Sequence, residues 1–457
     1  MERFVDQHLS EMIAQLSNLV SLESVYDPQD SQHPPFGKGV SDALQAVLDL
    51  SRSFDMQVRN VDGYAGEITV GTGSRMIGIL CHIDVVPAGA GWNTEPFALT
   101  ERDGRLYGRG SSDDKGPLIS ALYAMRYLQE SGQIPDDCCL RLIVGANEEE
   151  SWQCIRHYLA HTTDLPSVSI VPDGNFPLIF CEKGLLDFDL HSEFVPNHRA
   201  PIQLAALSGG TSRNMIPDAA QCVLLCSDEA TATDCQTKLD GVEVVRDGLQ
   251  LTVCAQGKSA HCMTPEKGIS AITRLMEALC ALKTDFSHAE LAQAMVQAGD
   301  YTGSKLGLDM QDEVSGALTL NLGVISMDTS GAVHIQADIR YPASASQETV
   351  QKQVRSALTG FGYTEVDHLP PVYFEPNDPL VRTLLDAYQQ VTGDRDSQPL
   401  AIGGATYARA LPCAVAFGPL FPWEEELAHE PNEFLSIDSL RSMTQIYICA
   451  LRKLMEM

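Results

Sequence analysis

The segment Ile79-Leu80-Cys81-His82-Ile83-Asp84-Val85-Val86-Pro87 contains an apolar run that ends at an imidazole, with a carboxylate two residues later. An apolar run favours a buried strand, and residues i and i+2 of an extended chain point to the same side. We therefore expect His82 and Asp84 to meet at the carboxyl end of a strand. There Asp84 accepts one ring N–H and leaves the other nitrogen of His82 for a metal ion. The short motif leaves one alternative open: His82 and Asp84 could simply hydrogen-bond each other on the surface and bind no metal.

The composition is typical of a globular protein with more than one domain, since 457 residues exceed the usual size of one hydrophobic core. The net charge of −30 argues against a nucleic acid partner, because phosphate binding needs a basic surface. Residues 1–22 resemble an amphipathic helix rather than a secretory leader, and no apolar run is long enough to span a bilayer. Thirteen cysteines without a C-x-x-C pair fit a reducing compartment. We expect a cytoplasmic protein that does not bind membranes.

Strand-like and helix-like segments alternate in the first part of the chain, which predicts an α/β fold with a mostly parallel sheet. The apolar runs are Met76–Cys81, Leu140–Ala146 and Val168–Val171, and Pro117–Ser131 has helical character. After Gly184 the pattern is that of an α+β domain, and the α/β pattern resumes near Pro370. We predict a discontinuous first domain of residues 1–183 and 373–457, interrupted by an inserted domain of residues 184–372.

Four further segments place metal-preferring side chains after an apolar strand or in a turn-rich loop: Tyr107–Pro117, Asn147–Glu150, Pro172–Gly174 and His429–Glu433. Each segment alone has an ordinary explanation. The first could be a helix cap, the second a solvated acidic turn and the third a simple turn. In the fourth, His429 could merely have a pKa raised by the neighbouring acids. Together with His82 they supply two imidazoles and at least three carboxylates at strand ends or loops of one α/β unit. Such a set suits Zn²⁺ or Mn²⁺, and a pair of these ions about 3.5–4 Å apart is a recurrent hydrolytic device.

The chain resembles the M20 metallopeptidases and, within them, the PepV-type dipeptidases of bacteria. The similar segments cover most of the chain: 82–87, 91–92, 96–97, 108–117, 148–152, 172–174, 182–184, 214–218, 257–261, 265–268, 338–342, 403–409 and 429–433. The resemblance implies a zinc-peptidase-like catalytic domain and an inserted α+β lid. One departure is Ala405, which stands where the family pattern leads us to expect threonine.

The resemblance implies two divalent metal ions, Zn²⁺ before Mn²⁺ or Co²⁺, and gives each side chain a role. One ion would be held by His82, Asp113 and Asp173. The other would be held by Asp113, Glu149 and His429. Glu148 corresponds to the general base, although three adjacent acids leave its register open by one residue. Asp84 would orient His82, and the peptide bond between Asp113 and Asp114 is expected to be cis.

Three residues of the inserted domain match family positions that contact substrate. His261 corresponds to a histidine that stabilises the oxyanion, Arg340 to the residue that binds the C-terminal carboxylate, and Asn214 to a polar neighbour. An arginine suits a carboxylate because its planar fork makes two parallel hydrogen bonds. A surface salt bridge is the alternative explanation for Arg340.

These observations predict a monomeric dinuclear metal hydrolase that cleaves the amide bond of dipeptides with a free C-terminal carboxylate. The first alternative is an N-acyl amino acid deacylase of the succinyl-diaminopimelate desuccinylase or acetylornithine deacetylase type, which shares the ligand set. A second alternative is a non-catalytic binding member of the family, against which the intact set of candidate ligands argues.

Overall fold

The apolar run before His82 forms the strand Arg75–His82, which is buried along nearly its whole length in a computed structural model that describes all 457 residues. This strand lies in a nine-stranded mixed sheet that includes, in spatial order, Gln57–Val61, Ala65–Gly71, Cys138–Gly145, Arg75–His82, Val168–Val171, Ala414–Ala416 and Ile179–Glu182. The four strands from Cys138–Gly145 to Ala414–Ala416 are parallel, and the strands outside them are antiparallel. The predicted α/β class is confirmed, with a parallel centre and antiparallel edges.

Six helices belong to the same unit as this sheet: Glu2–Val20, Lys38–Ser53, Lys115–Glu130, Gln153–His161, Pro379–Thr392 and Ile437–Glu456. The helix Lys115–Glu130 packs on the strands Arg75–His82 and Cys138–Gly145, and the last helix of the chain packs against it. The first eleven residues of the helix Lys115–Glu130 are buried because other elements cover this helix on several sides. No helix of the structure is both long enough and apolar enough to cross a lipid bilayer.

The chain divides into two units, of which the first comprises residues 1–180, 374–400 and 406–457. The second comprises residues 181–373 and 401–405. Residues 401–405 correct the predicted domain division, because the sequence analysis assigned them to the first domain. They join the second unit because the N–H of Lys183 donates to the carbonyl of Ile402 and Arg340 Nη1 donates to that of Gly403.

The second unit is built on one antiparallel sheet of eight strands, in the spatial order Glu243–Asp247, Gln250–Gln256, Ala219–Cys226, Ile202–Gly209, Thr319–Met327, Val333–Tyr341, Gly184–Ser192 and Phe361–Leu369. Its helices are Glu229–Lys238, Ala271–Cys280, Ala289–Ala298 and Gln347–Ala357. Inward-facing side chains of the sheet and these helices form one continuous hydrophobic core. The expected α+β insertion thus has a core of its own.

A buried ion pair joins two distant loops of the first unit. Arg109 Nη1 donates to Glu433 Oε2 at 2.7 Å, and the two side chains are 1% and 0% exposed. The other oxygen of Glu433 accepts the N–H groups of Ser112 and Asp113, at 2.8 and 3.2 Å. Arg109 also donates to the carbonyl of His429 at 3.2 Å. The pair therefore fixes the loop before Asp113 against the loop that carries His429.

Close packing limits the residue at position 145, where the strand Cys138–Gly145 ends. A Cβ atom on Gly145 would lie 2.4 Å from the hydroxyl of Tyr407, a fully buried side chain. We predict that Gly145→Ala lowers the free energy of unfolding by about 1–3 kcal/mol through overpacking, as measured by urea denaturation. Tyr407→Phe removes the closest atom, so the double variant should recover part of this loss. Fully additive losses would contradict the clash.

Removal of the charge on Glu433 should be costly, because Arg109 would remain buried without its partner. We predict that Glu433→Gln lowers the free energy of unfolding by about 3 kcal/mol or more. The control is Asp6→Asn, which breaks an exposed pair with Arg441 and should cost below about 1 kcal/mol. Equal effects of the two variants in chemical denaturation would show that the buried pair does not hold the loops together.

Candidate functional site

The carboxyl ends of three neighbouring parallel strands bring candidate ligands together. His82 ends one strand, Glu148 follows the strand Cys138–Gly145, and Asp173 follows Val168–Val171. Ligand atoms of these three side chains lie within 4.8 Å of one another. A second group with the same spacing consists of His82, Asp113 and Glu149. The strand-end placement predicted from the sequence therefore produces one cluster.

Two imidazoles contact opposite oxygens of Asp113. His82 Nε2 lies 2.9 Å from Oδ1 and His429 Nε2 lies 3.0 Å from Oδ2. His429 Nε2 is also 2.9 Å from Glu149 Oε2. The peptide bond between Asp113 and Asp114 is cis, as the resemblance predicts. A carboxylate with an imidazole on each oxygen has the geometry expected of a bridge between two cations.

The electrostatics of the cluster favour bound cations. Burial raises the pKa of Glu149 to about 7, and the charge of Asp113 adds to this shift. Burial also raises the pKa of Glu148, with a further contribution from Asp173. Burial acts in the same direction on Asp113, but hydrogen bonds from His429 and His82 outweigh it and lower that pKa. Because carboxylates outnumber imidazoles here, divalent ions would relieve their repulsion.

The donor set fits a metal centre because each ring nitrogen of His82 has its own partner. Nδ1 lies 3.0 Å from the carbonyl of Asp84, which can only accept, so Nδ1 keeps its proton. Nε2 faces Asp113 at 2.9 Å, and a cation bound there would replace the proton that the two atoms share. Mixed imidazole and carboxylate ligation suits Zn²⁺ and Mn²⁺.

Asp84 lies beside the ring of His82, and its closest contact with Nδ1 is made by the backbone carbonyl rather than by the carboxylate. The strand ends at His82, so Asp84 lies in the following loop and its backbone carbonyl contacts Nδ1. The nearest carboxylate oxygen is 3.6 Å from that nitrogen. The carboxylate instead accepts the N–H groups of Glu148 and Glu149, each at 3.0 Å. Asp84 thereby fixes the acidic loop as well as the histidine.

Sequence reasoning missed several residues that hold the site. Asp114 is not a side-chain helix cap, because its carboxylate accepts the N–H of His82 at 3.0 Å. Trp152 Nε1 donates to Glu148 Oε1 at 3.0 Å, from a backbone with a φ of 55°. A tryptophan in this left-handed region is uncommon, and such outliers cluster at functional sites. Trp152 and Glu433 lay inside motifs quoted from the sequence, but their partners could not be read from it.

The three predicted substrate contacts, Asn214, His261 and Arg340, belong to the second unit. The carbonyl of Asn214 accepts the N–H of Cys262, while its exposed side chain accepts from Ser212. Nδ1 of His261 accepts the N–H of Met263 at 3.2 Å. Arg340 is 5% exposed, and both Nε and Nη2 donate to Asp338. Arg340 therefore makes a salt bridge with Asp338, but the pair is buried and is not the surface salt bridge considered as the alternative.

Comparisons with known proteins identify the family. Residues 78–453 match the model of "Peptidase family M20/M25/M40". The chain is 35% identical over 458 residues to "Putative dipeptidase YtjP" of Bacillus subtilis (strain 168). It is 34% identical over 459 residues to a "Putative dipeptidase" of Staphylococcus epidermidis. Each alignment covers 97% of this chain and 97% of the relative.

Solved structures share the fold at low sequence identity. Human carnosine dipeptidase 1 has a TM-score of 0.60 and 16% identity, covering 100% of this chain and 98% of its own. The M20 family metallo-carboxypeptidase Sso-CP2 from Sulfolobus solfataricus has a TM-score of 0.58 and 16% identity, covering 98% and 100%. With the family match and the full-length relatives, the chain belongs to peptidase family M20/M25/M40 and is a metal-dependent hydrolase of that family.

Proposed function

We propose that this hydrolase cleaves the amide bond of dipeptides with a free C-terminal carboxylate, and that it uses two divalent ions. The ligands would be those of the cluster: His82, Asp113, Glu149, Asp173 and His429. The observation that carries the proposal is the carboxylate of Glu148, which lies beside the ligand atoms of His82 and Asp173. The full-length relatives named as dipeptidases support the substrate class.

Glu148 would move the proton in this reaction. When bound, the two ions would polarise the amide carbonyl and lower the pKa of water. The indole of Trp152 holds one oxygen of Glu148 and so orients the carboxylate towards the cluster. Glu148 would take a proton from the attacking water and deliver it to the leaving nitrogen. The neighbouring Glu150 is exposed, and it belongs to neither of the two groups of candidate ligands around His82.

The second unit would bind the charged parts of the substrate. Because Nδ1 of His261 accepts a backbone N–H, the neutral ring carries its proton on Nε2. A fixed N–H donor of this kind suits the oxyanion that forms when the amide is attacked. Arg340 would pair with the C-terminal carboxylate while Asp338 holds its guanidinium in place. Asn214 would be a polar neighbour in the same pocket.

Three further properties stand as proposals with this function. Zn²⁺ is the metal we favour, with Mn²⁺ or Co²⁺ as alternatives for the same ligands. The protein would act as a monomer in the cytoplasm. Support for the cytoplasm comes from the thirteen cysteines, most of which are buried.

Replacement of the proposed base should remove activity without removing metal. We predict that Glu148→Gln lowers kcat for dipeptide hydrolysis by about 100- to 10,000-fold, because general acid–base catalysis contributes about that much. Bound metal, measured by elemental analysis, should stay at the wild-type level. Glu150→Gln is the matched control and should keep near-wild-type activity. A full-rate Glu148→Gln enzyme would remove Glu148 from the mechanism, and a metal-free active wild type would contradict the metal centre.

The proposed carboxylate contact predicts a substrate preference. A dipeptide should be hydrolysed about 10- to 100-fold more efficiently than its C-terminal amide, because a hydrogen bond to a charged group contributes about 1.5–3 kcal/mol. The measurement is kcat/KM for the matched pair, beside N-acetyl and N-succinyl amino acids. Equal values for acid and amide would exclude the role of Arg340. Turnover of only the N-acyl amino acids would replace the dipeptidase with a deacylase, and turnover of no substrate would favour a binding protein.

A further inference from the structure

A second group of metal-preferring side chains lies on the surface of the first unit, apart from the hydrolytic cluster. It consists of Asp62, His157 and His161, whose ligand atoms lie within 4.8 Å of one another. The two histidines are four residues apart on the helix Gln153–His161, and Asp62 lies in the turn between the strands Gln57–Val61 and Ala65–Gly71. No residue of this group belongs to the motifs that carry the family resemblance.

Specific contacts hold the side chains of this group together. His157 Nε2 is 2.9 Å from Asp62 Oδ2. The rings of His157 and His161 are stacked with their centroids 3.9 Å apart. The ring of Tyr64 also stacks on that of His157, with centroids 3.9 Å apart. Asp62 itself has a φ of 54°, a left-handed conformation that its short polar side chain tolerates. Because the stacked rings are nearly parallel, one imidazole has to turn before both can face a shared ion, and their spacing of four residues on one helix keeps both within its reach.

A backbone contact sets the protonation of His161 in the form that a metal ligand needs. Nδ1 of His161 lies 2.9 Å from the carbonyl of His157, which can only accept a hydrogen bond. The neutral ring therefore carries its proton on Nδ1 and has a lone pair on Nε2. Metal-ligating histidines commonly donate their other ring N–H to a backbone carbonyl in this way. The carboxyl end of the helix also favours a cation, because the helix dipole is negative there.

We propose that Asp62, His157 and His161 bind one transition-metal ion, such as Zn²⁺ or Ni²⁺, at a site separate from the hydrolytic centre. Two imidazoles and a carboxylate are ligands that these ions accept, and solvent would complete the coordination because Asp62 and His161 are exposed. The ion ties the turn at Asp62 to the end of the helix Gln153–His161. The residue that precedes this helix is Trp152, which donates to Glu148. The ion thereby stabilises the helix adjoining the acidic loop.

Zinc stoichiometry tests the site without reference to activity. Wild type, His161→Ala and Asp62→Asn are equilibrated with the same moderate excess of free Zn²⁺, and bound zinc is measured by elemental analysis. Wild type should bind one more equivalent than either variant, and zinc should raise its midpoint of thermal unfolding by more. Both substituted side chains are exposed, so the variants should fold.

The control is His334→Ala, which removes an exposed pair of one imidazole and one carboxylate, Asp328, at 3.1 Å. Because this pair lacks a second histidine, the variant should bind as much zinc as wild type. Equal zinc content in wild type, His161→Ala and Asp62→Asn would overturn the proposed site. The same loss in His334→Ala as in His161→Ala would also overturn it, because the extra zinc would then be bound by surface histidines in general.

Discussion

The carboxylate of Glu433 is the constraint on which the candidate metal centre depends. It is fully buried, and it accepts hydrogen bonds from Arg109, Gly110, Ser112 and Asp113. A buried carboxylate is stable only when its oxygens are satisfied in this way. Because Arg109 also binds the carbonyl of His429, one side chain determines where both the central aspartate and the second imidazole lie. The residue that sets the geometry is therefore not itself a ligand.

The same kind of contact occurs at three segments of the site. A buried carboxylate accepts the backbone N–H of the residue that carries a candidate ligand: Asp114 for His82, Asp84 for Glu149 and Glu433 for Asp113. Side chains that must stay available for cations are thus positioned through their backbone. This arrangement concentrates negative charge in the interior, and imidazoles alone offset little of it. The fold tolerates the charge because backbone N–H groups and Arg109 surround the inner acids.

The candidate ligands His82, Glu149 and Asp173 could be placed from the sequence, because they follow apolar runs whose type and ends are local properties. Asp113 and His429 lie in loops, and their roles came from the family resemblance. The strand Val168–Val171 has the predicted bounds, and the helix predicted over 117–131 spans Lys115–Glu130. The partners could not be predicted, since Arg109 and Glu433 are 324 positions apart and no periodicity links them. The contact between the backbone carbonyl of Asp84 and His82 was not predicted, because the extended pattern was assumed to continue two residues past the end of the strand. Residues 401–405 were misassigned because their contacts with Lys183 and Arg340 are equally remote.

The discontinuous first unit has a consequence for the order of events during synthesis. His82, Asp113 and Glu149 leave the ribosome long before His429 and Glu433, and the whole of residues 181–373 is made in between. The inserted unit has its own core and can fold as soon as it emerges, since domains generally fold as units. The acids of the N-terminal segment have to stay hydrated until the last part of the chain arrives. A nascent or truncated chain that lacks residues 429–433 therefore lacks part of the candidate metal centre.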